Sequence, residues 1–196
     1  MSALAKSLLT PKEYLEQERS AEFRSEYLSG EMFAMAGATE AHALVVTNLV
    51  IQLGTHLRHQ PCKTYSHDMR VQTSLSGLYA YPDVVVVCGE AQFRDTRRDT
   101  LLNPTFIVEV LSKSTEAYDR GEKFAHYWRL PSLSDYLLIS QEKPRVEHFV
   151  RAPDNRWLVS EAVGLEARLH IASLECRLLL ADVYDKVEFD PPPLLD

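Results

Sequence analysis

The chain has 196 residues, of which 45% are apolar, a proportion that suits one globular domain with an ordinary core. Its 28 acidic residues outnumber its 21 basic ones, giving a formal charge of −7 and a sequence pI of about 5.5. That balance excludes broad attraction to polyphosphate, which clustered lysine and arginine drive, so any contact with nucleic acid has to be local.

No apolar run approaches the roughly 18 residues a membrane-spanning helix needs, and no basic-then-apolar leader is visible. Cys62, Cys88 and Cys176 are scattered and lack paired metal-ligand spacing, so they read as reduced thiols, with Cys88 as a small core residue. These observations predict a cytoplasmic protein with no membrane partner.

Residues 1–9 carry no strong pattern and are expected to form a loose arm, with one domain over 10–187 and a stiff proline-rich tail over 188–196. Thr10-Pro11-Lys12-Glu13 is a capping box with proline at the first helical position, predicting a short helix to about Arg19. Phe23 to Leu28 and Glu31 to Ala36 flank Ser29-Gly30, a two-residue turn signal, and read as a hairpin. From Thr39, a good N-cap, Leu44, Val45, Leu49, Leu53 and Leu57 recur at helical spacing and predict a second helix.

Thr64 to Thr73 reads as one strand that turns at Ser74 to Gly77 and pairs antiparallel with the next apolar run, YPDVVVVCGE. The polar segment between Gly89 and Asn103 holds Arg94, Arg97 and Arg98, either as a solvated loop or as a flap that holds phosphates. Thr105 to Leu111 is another apolar strand, and a helix follows to Pro131 with Phe124, Tyr127 and Trp128 as its buried stripe. Asp135 to Ser140 is a core strand. Arg145 to Arg151 and Arg156 to Ala162 alternate in polarity about a turn at Pro153-Asp154-Asn155, forming a peripheral hairpin able to make a dimer contact. Leu178 to Tyr184 closes the domain.

Two carboxylates break the apolar pattern. Asp83 stands at the mouth of the valine run, and Glu109 interrupts Phe106-Ile107-Val108-Glu109-Val110-Leu111. A charge in that setting requires pairing, either with lysine or arginine in a structural ion pair or with a metal ion shared between the two acids. Lys123, on the following helix, fits the second arrangement as well as the first. Two carboxylates with a lysine are the parts of metal-assisted phosphodiester hydrolysis, since oxygen ligands suit Mg²⁺ and an ammonium can orient water or offset developing charge. Asp119, one turn before Lys123, also allows a plain surface ion pair.

The order of Pro82-Asp83, Glu109 and a lysine resembles the PD-(D/E)XK nuclease superfamily. The usual lysine position, two residues after the second acid, is occupied here by Leu111. Lysine on the following helix, together with EVLSKST, YDRGEKF and SGEMFAMAG, is similar to the Uma-two family of restriction-endonuclease-like proteins, over about residues 10–187.

The resemblance implies an α/β (α+β) restriction-endonuclease-like domain, with a mixed central sheet flanked by helices and peripheral hairpins. It implies a divalent-metal-dependent endonuclease acting on DNA, with Mg²⁺ or Mn²⁺ as cofactor and a possible homodimer. Asp83 and Glu109 would hold the metal, Lys123 would position water, and Glu26 would be a further ligand or base. His42 and Asp68 match polar positions of the family and are further candidates for substrate contact; a helix-start histidine and a turn aspartate are the plain alternatives. Lys113, which shares strand parity with Glu109, rivals Lys123, and Arg97 and Arg98 are the candidate phosphate contacts. Two other readings stay open: a noncatalytic binding module on the same fold, and a hydrolase of a small phosphate compound.

Overall fold

The computed structural model describes residues 8–35, 37–74 and 77–189. The N-terminal arm up to residue 7, Ala36, part of the turn at Leu75-Ser76 and the proline-rich tail from residue 190 lie outside the described residues.

The capping box forms: Thr10 accepts from the Glu13 backbone while the Glu13 carboxylate accepts from the Thr10 backbone, starting α1 (Pro11–Glu18). Just before it, Leu9 is not loose, because its backbone N–H donates to the Gly30 carbonyl and its own carbonyl accepts from Tyr27 Oη. The hairpin β1 (Ser25–Leu28) and β2 (Glu31–Ala34) turns through Ser29 and Gly30, both at positive φ, as a two-residue hairpin turn requires. Thr39 caps α2 (Glu40–His56) through the His42 backbone, and Val45, Leu49 and Leu53 are buried on one face.

The predicted strand over residues 64–73 is two strands in two sheets. The chain pairs as β3 (Cys62–Ser66), turns at His67 to Met69, and resumes as β4 (Arg70–Gln72). Then come β5 (Tyr79–Ala80), β6 (Val84–Cys88), β7 (Thr100–Leu101) and β8 (Phe106–Leu111). The predicted helix after β8 is broken into α3 (Glu116–Tyr118), a π-helical turn (Asp119–Lys123) and α4 (Phe124–Tyr127). β9 (Asp135–Ser140) and the hairpin β10 (Arg145–Arg151) and β11 (Trp157–Val163) follow. A second hairpin that hydropathy did not reveal, β12 (Arg168–Ile171) and β13 (Cys176–Leu179), precedes α5 (Leu180–Val183).

Six strands form the central sheet in the order β11-β10-β9-β8-β6-β3, mixed because β8 and β9 run parallel. A five-stranded sheet, β2-β1-β5-β4-β7, lies beside it. β6, β8 and β9 are buried almost throughout, consistent with cover on both faces. One face, with Val84, Val86, Val108 and Leu137, packs on α2, β12, β13 and α5. The other, with Val85, Val87, Ile107 and Leu138, packs on β4, β5, β7 and the broken helix. Tyr14, Leu15, Tyr27 and Tyr79 join α1 to the five-stranded sheet.

Cys62 and Cys88 are not free thiols: they sit directly opposite each other on β3 and β6 and form a disulfide, leaving Cys176 as the buried free cysteine. The argument for a cytoplasmic location from reduced cysteines therefore falls away. Among the described residues, no helix is long and apolar enough to cross a membrane.

Candidate active site

The antiparallel register of β6 and β8 pairs Val84 with Val108, and continued by one residue it sets Asp83 level with Glu109. Opposed residues of an antiparallel pair project to the same face. Both acids thus reach the same end of the central sheet, on the face covered by the broken helix. Asp83 is fixed there by accepting from the Val110 backbone N–H at 2.7 Å.

Lys123 enters from the π-helical turn, an insertion into helical winding that is frequent at functional sites. Its Nζ lies 3.0 Å from Glu109 Oε1, 3.0 Å from Glu26 Oε1 and 3.6 Å from Asp119 Oδ1. Glu26 arrives from β1 and also accepts from the Tyr81 backbone N–H at 3.2 Å. Tyr127, one helical turn beyond Lys123, donates its hydroxyl to Glu109 Oε1 at 3.0 Å. His42, in the first turn of α2, places Nε2 3.3 Å from Asp83 Oδ1. The structure therefore brings Asp83, Glu109, Lys123, Glu26 and His42 together.

It does not bring the other candidates there. Asp68 sits in the exposed turn between β3 and β4, 3.8 Å from Arg24. Lys113 lies beyond the end of β8, where strand parity no longer applies; it is 87% exposed and pairs with Glu142 at 3.2 Å. The segment before β7 is tied to α1 by Arg19, which grips Asp95 and Asp99. There Arg98 lies over the Phe93 ring, the Arg97 backbone N–H bonds Asp95, and Arg94 bonds Gln72 and Tyr79. This is the far edge of the five-stranded sheet from β1, so Arg97 and Arg98 stand away from the carboxylates.

Two members of the cluster were not singled out from sequence. Asp119 reads as an exposed i,i+4 partner of Lys123 but is 3% exposed, and Tyr127 reads as core packing. The signal available for both was spacing: each lies four residues from Lys123, on the same helical face.

Four carboxylates thus face one ammonium and one imidazole. Burial drives the Glu109 pKa well above the ordinary carboxylate value; Lys123 opposes this, while Asp119, Asp83 and Glu26 add to it. Asp119 is raised for the same reasons. For Lys123, burial disfavours the charge, but Glu109, Glu26 and Asp119 outweigh it and hold the amine protonated far above its usual range. His42 behaves likewise: burial lowers its pKa, and the Asp83 carboxylate, with Asp119 and the Val110 backbone, more than restores it.

The excess of buried oxygen donors over positive charge is the chemistry a hard divalent cation satisfies. Asp83 and Glu109, level with each other on adjacent strands, are the residues that would hold one, with Glu26 beside them.

The Uma2 family model, described as "Putative restriction endonuclease", matches residues 11–181. Two uncharacterized proteins of Synechocystis are similar along most of their length. One is 36% identical over 168 residues (86% of this chain, 95% of the relative), the other 33% identical over 181 residues (92% and 94%). Among solved structures, one described as "a putative nuclease belonging to DUF820" from Anabaena variabilis superposes with a TM-score of 0.75 over 90% of this chain and 97% of that one. At 15% identity it shows the shared fold.

Proposed function

The chain belongs to the Uma2 family of restriction-endonuclease-like proteins, and on that premise we propose that it is a divalent-metal-dependent endonuclease that hydrolyses DNA phosphodiester bonds. The observation that carries this reading is the buried cluster in which Glu26, Glu109 and Asp119 surround the Lys123 ammonium while Asp83 stands level with Glu109.

Asp83 and Glu109 would hold Mg²⁺ or Mn²⁺, which supplies Lewis acidity toward a phosphoryl oxygen and a water acidic enough to act near neutral pH. Lys123 remains an ammonium in these surroundings, so its part is to donate hydrogen bonds: it would orient the attacking water and offset charge on the oxygens of the pentacoordinate transition state. It does not take up a proton. Glu26, which shares Lys123 with Glu109, would accept a proton from that water or serve as a further metal ligand. Tyr127 fixes the orientation of Glu109, and His42 fixes that of Asp83. A homodimer, with the β10 and β11 hairpin as the contact between copies, belongs to the same proposal.

The test is cleavage of supercoiled, linear and single-stranded DNA with Mg²⁺ or Mn²⁺, beside the Asp83→Asn and Lys123→Ala proteins, each checked for folding by circular dichroism. Cleavage lost in both folded variants supports the reading. Equal cleavage by all three proteins removes it.

One observation favours a second reading, a noncatalytic binding module. Among the described residues no three His, Cys, Asp or Glu side chains converge as a metal-binding group, and the Lys123 ammonium bridges Glu26 and Glu109. Mn²⁺ binding measured by calorimetry separates the two readings: micromolar binding lost in Asp83→Asn favours the enzyme.

A further inference from the structure

The rim of the site on the β1 and β2 hairpin is apolar where the interior is ionic. Phe33 is the direct cross-strand partner of Glu26, so its ring projects on the same face as the Glu26 carboxylate, yet it is 49% exposed. Met35 follows two residues on, just past the end of β2, and is also exposed. Its backbone N–H bonds the Arg24 carbonyl, which sets Arg24 beside it. The Arg24 guanidinium lies 5.6 Å from the centroid of the Tyr81 ring, half exposed, and its carboxylate neighbour Asp68 is a loose 3.8 Å away. Tyr118, on the broken helix, is partly buried and close enough to Glu26 to feel its charge.

An exposed aromatic ring thus stands directly across the strands from a carboxylate of the site, with a thioether and a guanidinium next along the same hairpin. We propose that this hairpin rim holds an unpaired nucleobase adjacent to the scissile phosphate, making single-stranded or locally unpaired DNA the substrate class. The inference rests on the nuclease reading of the carboxylate cluster.

Two facts favour an unpaired base over a duplex as the occupant. A ring standing on a hairpin reaches the π-face of a base only when that base is out of its stack, whereas single strands offer every base to such a platform. And a chain of formal charge −7 gains little from following a duplex backbone, where affinity comes from neutralised phosphates. Phe33 supplies attraction that does not depend on net charge. Arg24, on the exposed rim, supplies a cation that is released from Asp68 to meet a phosphate.

The experiment is equilibrium binding, read by fluorescence anisotropy without added metal, of a 12-nucleotide oligo-dT, the same strand carrying abasic sites, and a 12-base-pair duplex. Wild-type protein is expected to bind oligo-dT tighter than the other two, with a shallow salt dependence. Phe33→Ala should weaken oligo-dT binding about tenfold, in the range of lost base stacking, while Phe33→Trp retains it and shows tryptophan quenching on binding. Phe33 is exposed, so its replacement leaves the core intact. Equal binding by Phe33→Ala and wild type, or duplex binding as tight as single-strand binding, overturns the proposal. Cleavage assayed in parallel keeps the two readings apart: duplex cleavage that survives Phe33→Ala overturns the rim proposal and leaves the nuclease standing. Single-strand binding that needs Phe33, without any cleavage, upholds the rim as a base-binding surface, overturns its place beside a scissile phosphate and removes the nuclease.

Discussion

Lys123 Nζ and Glu109 Oε1 meet at 3.0 Å with side chains only 7% and 5% exposed. A pair so enclosed costs several kcal/mol to desolvate, and loss of one partner strands the other. Lys123→Met should therefore destabilise the protein by about 3–5 kcal/mol, because Glu109, Glu26 and Asp119 all lose their shared cation. The comparison is urea midpoints at pH 8 and pH 5. The deficit should shrink at pH 5, where the stranded acids protonate. A deficit below about 1 kcal/mol at pH 8 would mean the pair is far better solvated than its burial indicates.

The opposite outcome is expected on the acid side. Glu109 sits among three other carboxylates, and its raised pKa records how poorly this cluster tolerates a fourth charge. Glu109→Gln removes the charge but keeps an acceptor for the Tyr127 hydroxyl. Metal-free Glu109→Gln should be at least as stable as wild type, by about 1 kcal/mol at pH 8, while losing cleavage and Mn²⁺ binding. Thermal unfolding in a chelator measures the first part and calorimetry the second. A variant that unfolds more easily than wild type would show that Glu109 is held for stability.

How much of this could be read from the sequence follows from what each residue reveals locally. Asp83 and Glu109 were legible as a pair because a carboxylate in an apolar run is an anomaly with few physical remedies. Lys123 was legible as a partner for the two acids but was preferred to Lys113 only through the family resemblance, and Glu26 was legible only through it, since a glutamate on a hairpin is ordinarily solvated. Asp119 was misread because i,i+4 spacing fixes a face and not its burial. The break of one expected strand into β3 and β4 was hidden because His67-Asp68-Met69 contains neither glycine nor proline. The Cys62–Cys88 bond depends on strand register across 26 residues, which spacing alone does not supply.

Proton linkage gives a further prediction. Glu109 and Asp119 have folded-state pKa values above their unfolded ones, so their stabilising contribution is fully present below the ordinary carboxylate range and is lost as pH rises through the raised values. Lys123 acts in the same sense but at far higher pH, because its folded pKa is raised above an already alkaline one. Metal-free protein should therefore lose thermal stability as pH climbs from about 5 toward 9, in the direction set by the buried acids. Mg²⁺ or Mn²⁺, which binds the deprotonated acids, should flatten or reverse that slope. Melting temperatures across that range, with and without 5 mM-scale metal, decide it; parallel curves would exclude a cation from these carboxylates.

The His42 and Asp83 contact allows a local reading of the same site. Burial lowers the imidazole pKa, and the Asp83 carboxylate 3.3 Å away, helped by Asp119 and the Val110 backbone, more than offsets it, so the folded protein holds His42 protonated to a higher pH than the free side chain. A raised histidine contributes stability below its unfolded pKa and loses it as pH passes through the folded one. Asp83→Asn removes the dominant attraction and leaves burial in command, so the His42 titration should move to lower pH, followed by NMR of its ring protons. Added Mg²⁺ or Mn²⁺ should move it the same way in wild type, because a cation held by Asp83 repels the imidazolium, and should have no such effect in Asp83→Asn. A wild-type His42 that titrates identically with and without metal would place the cation elsewhere than on Asp83.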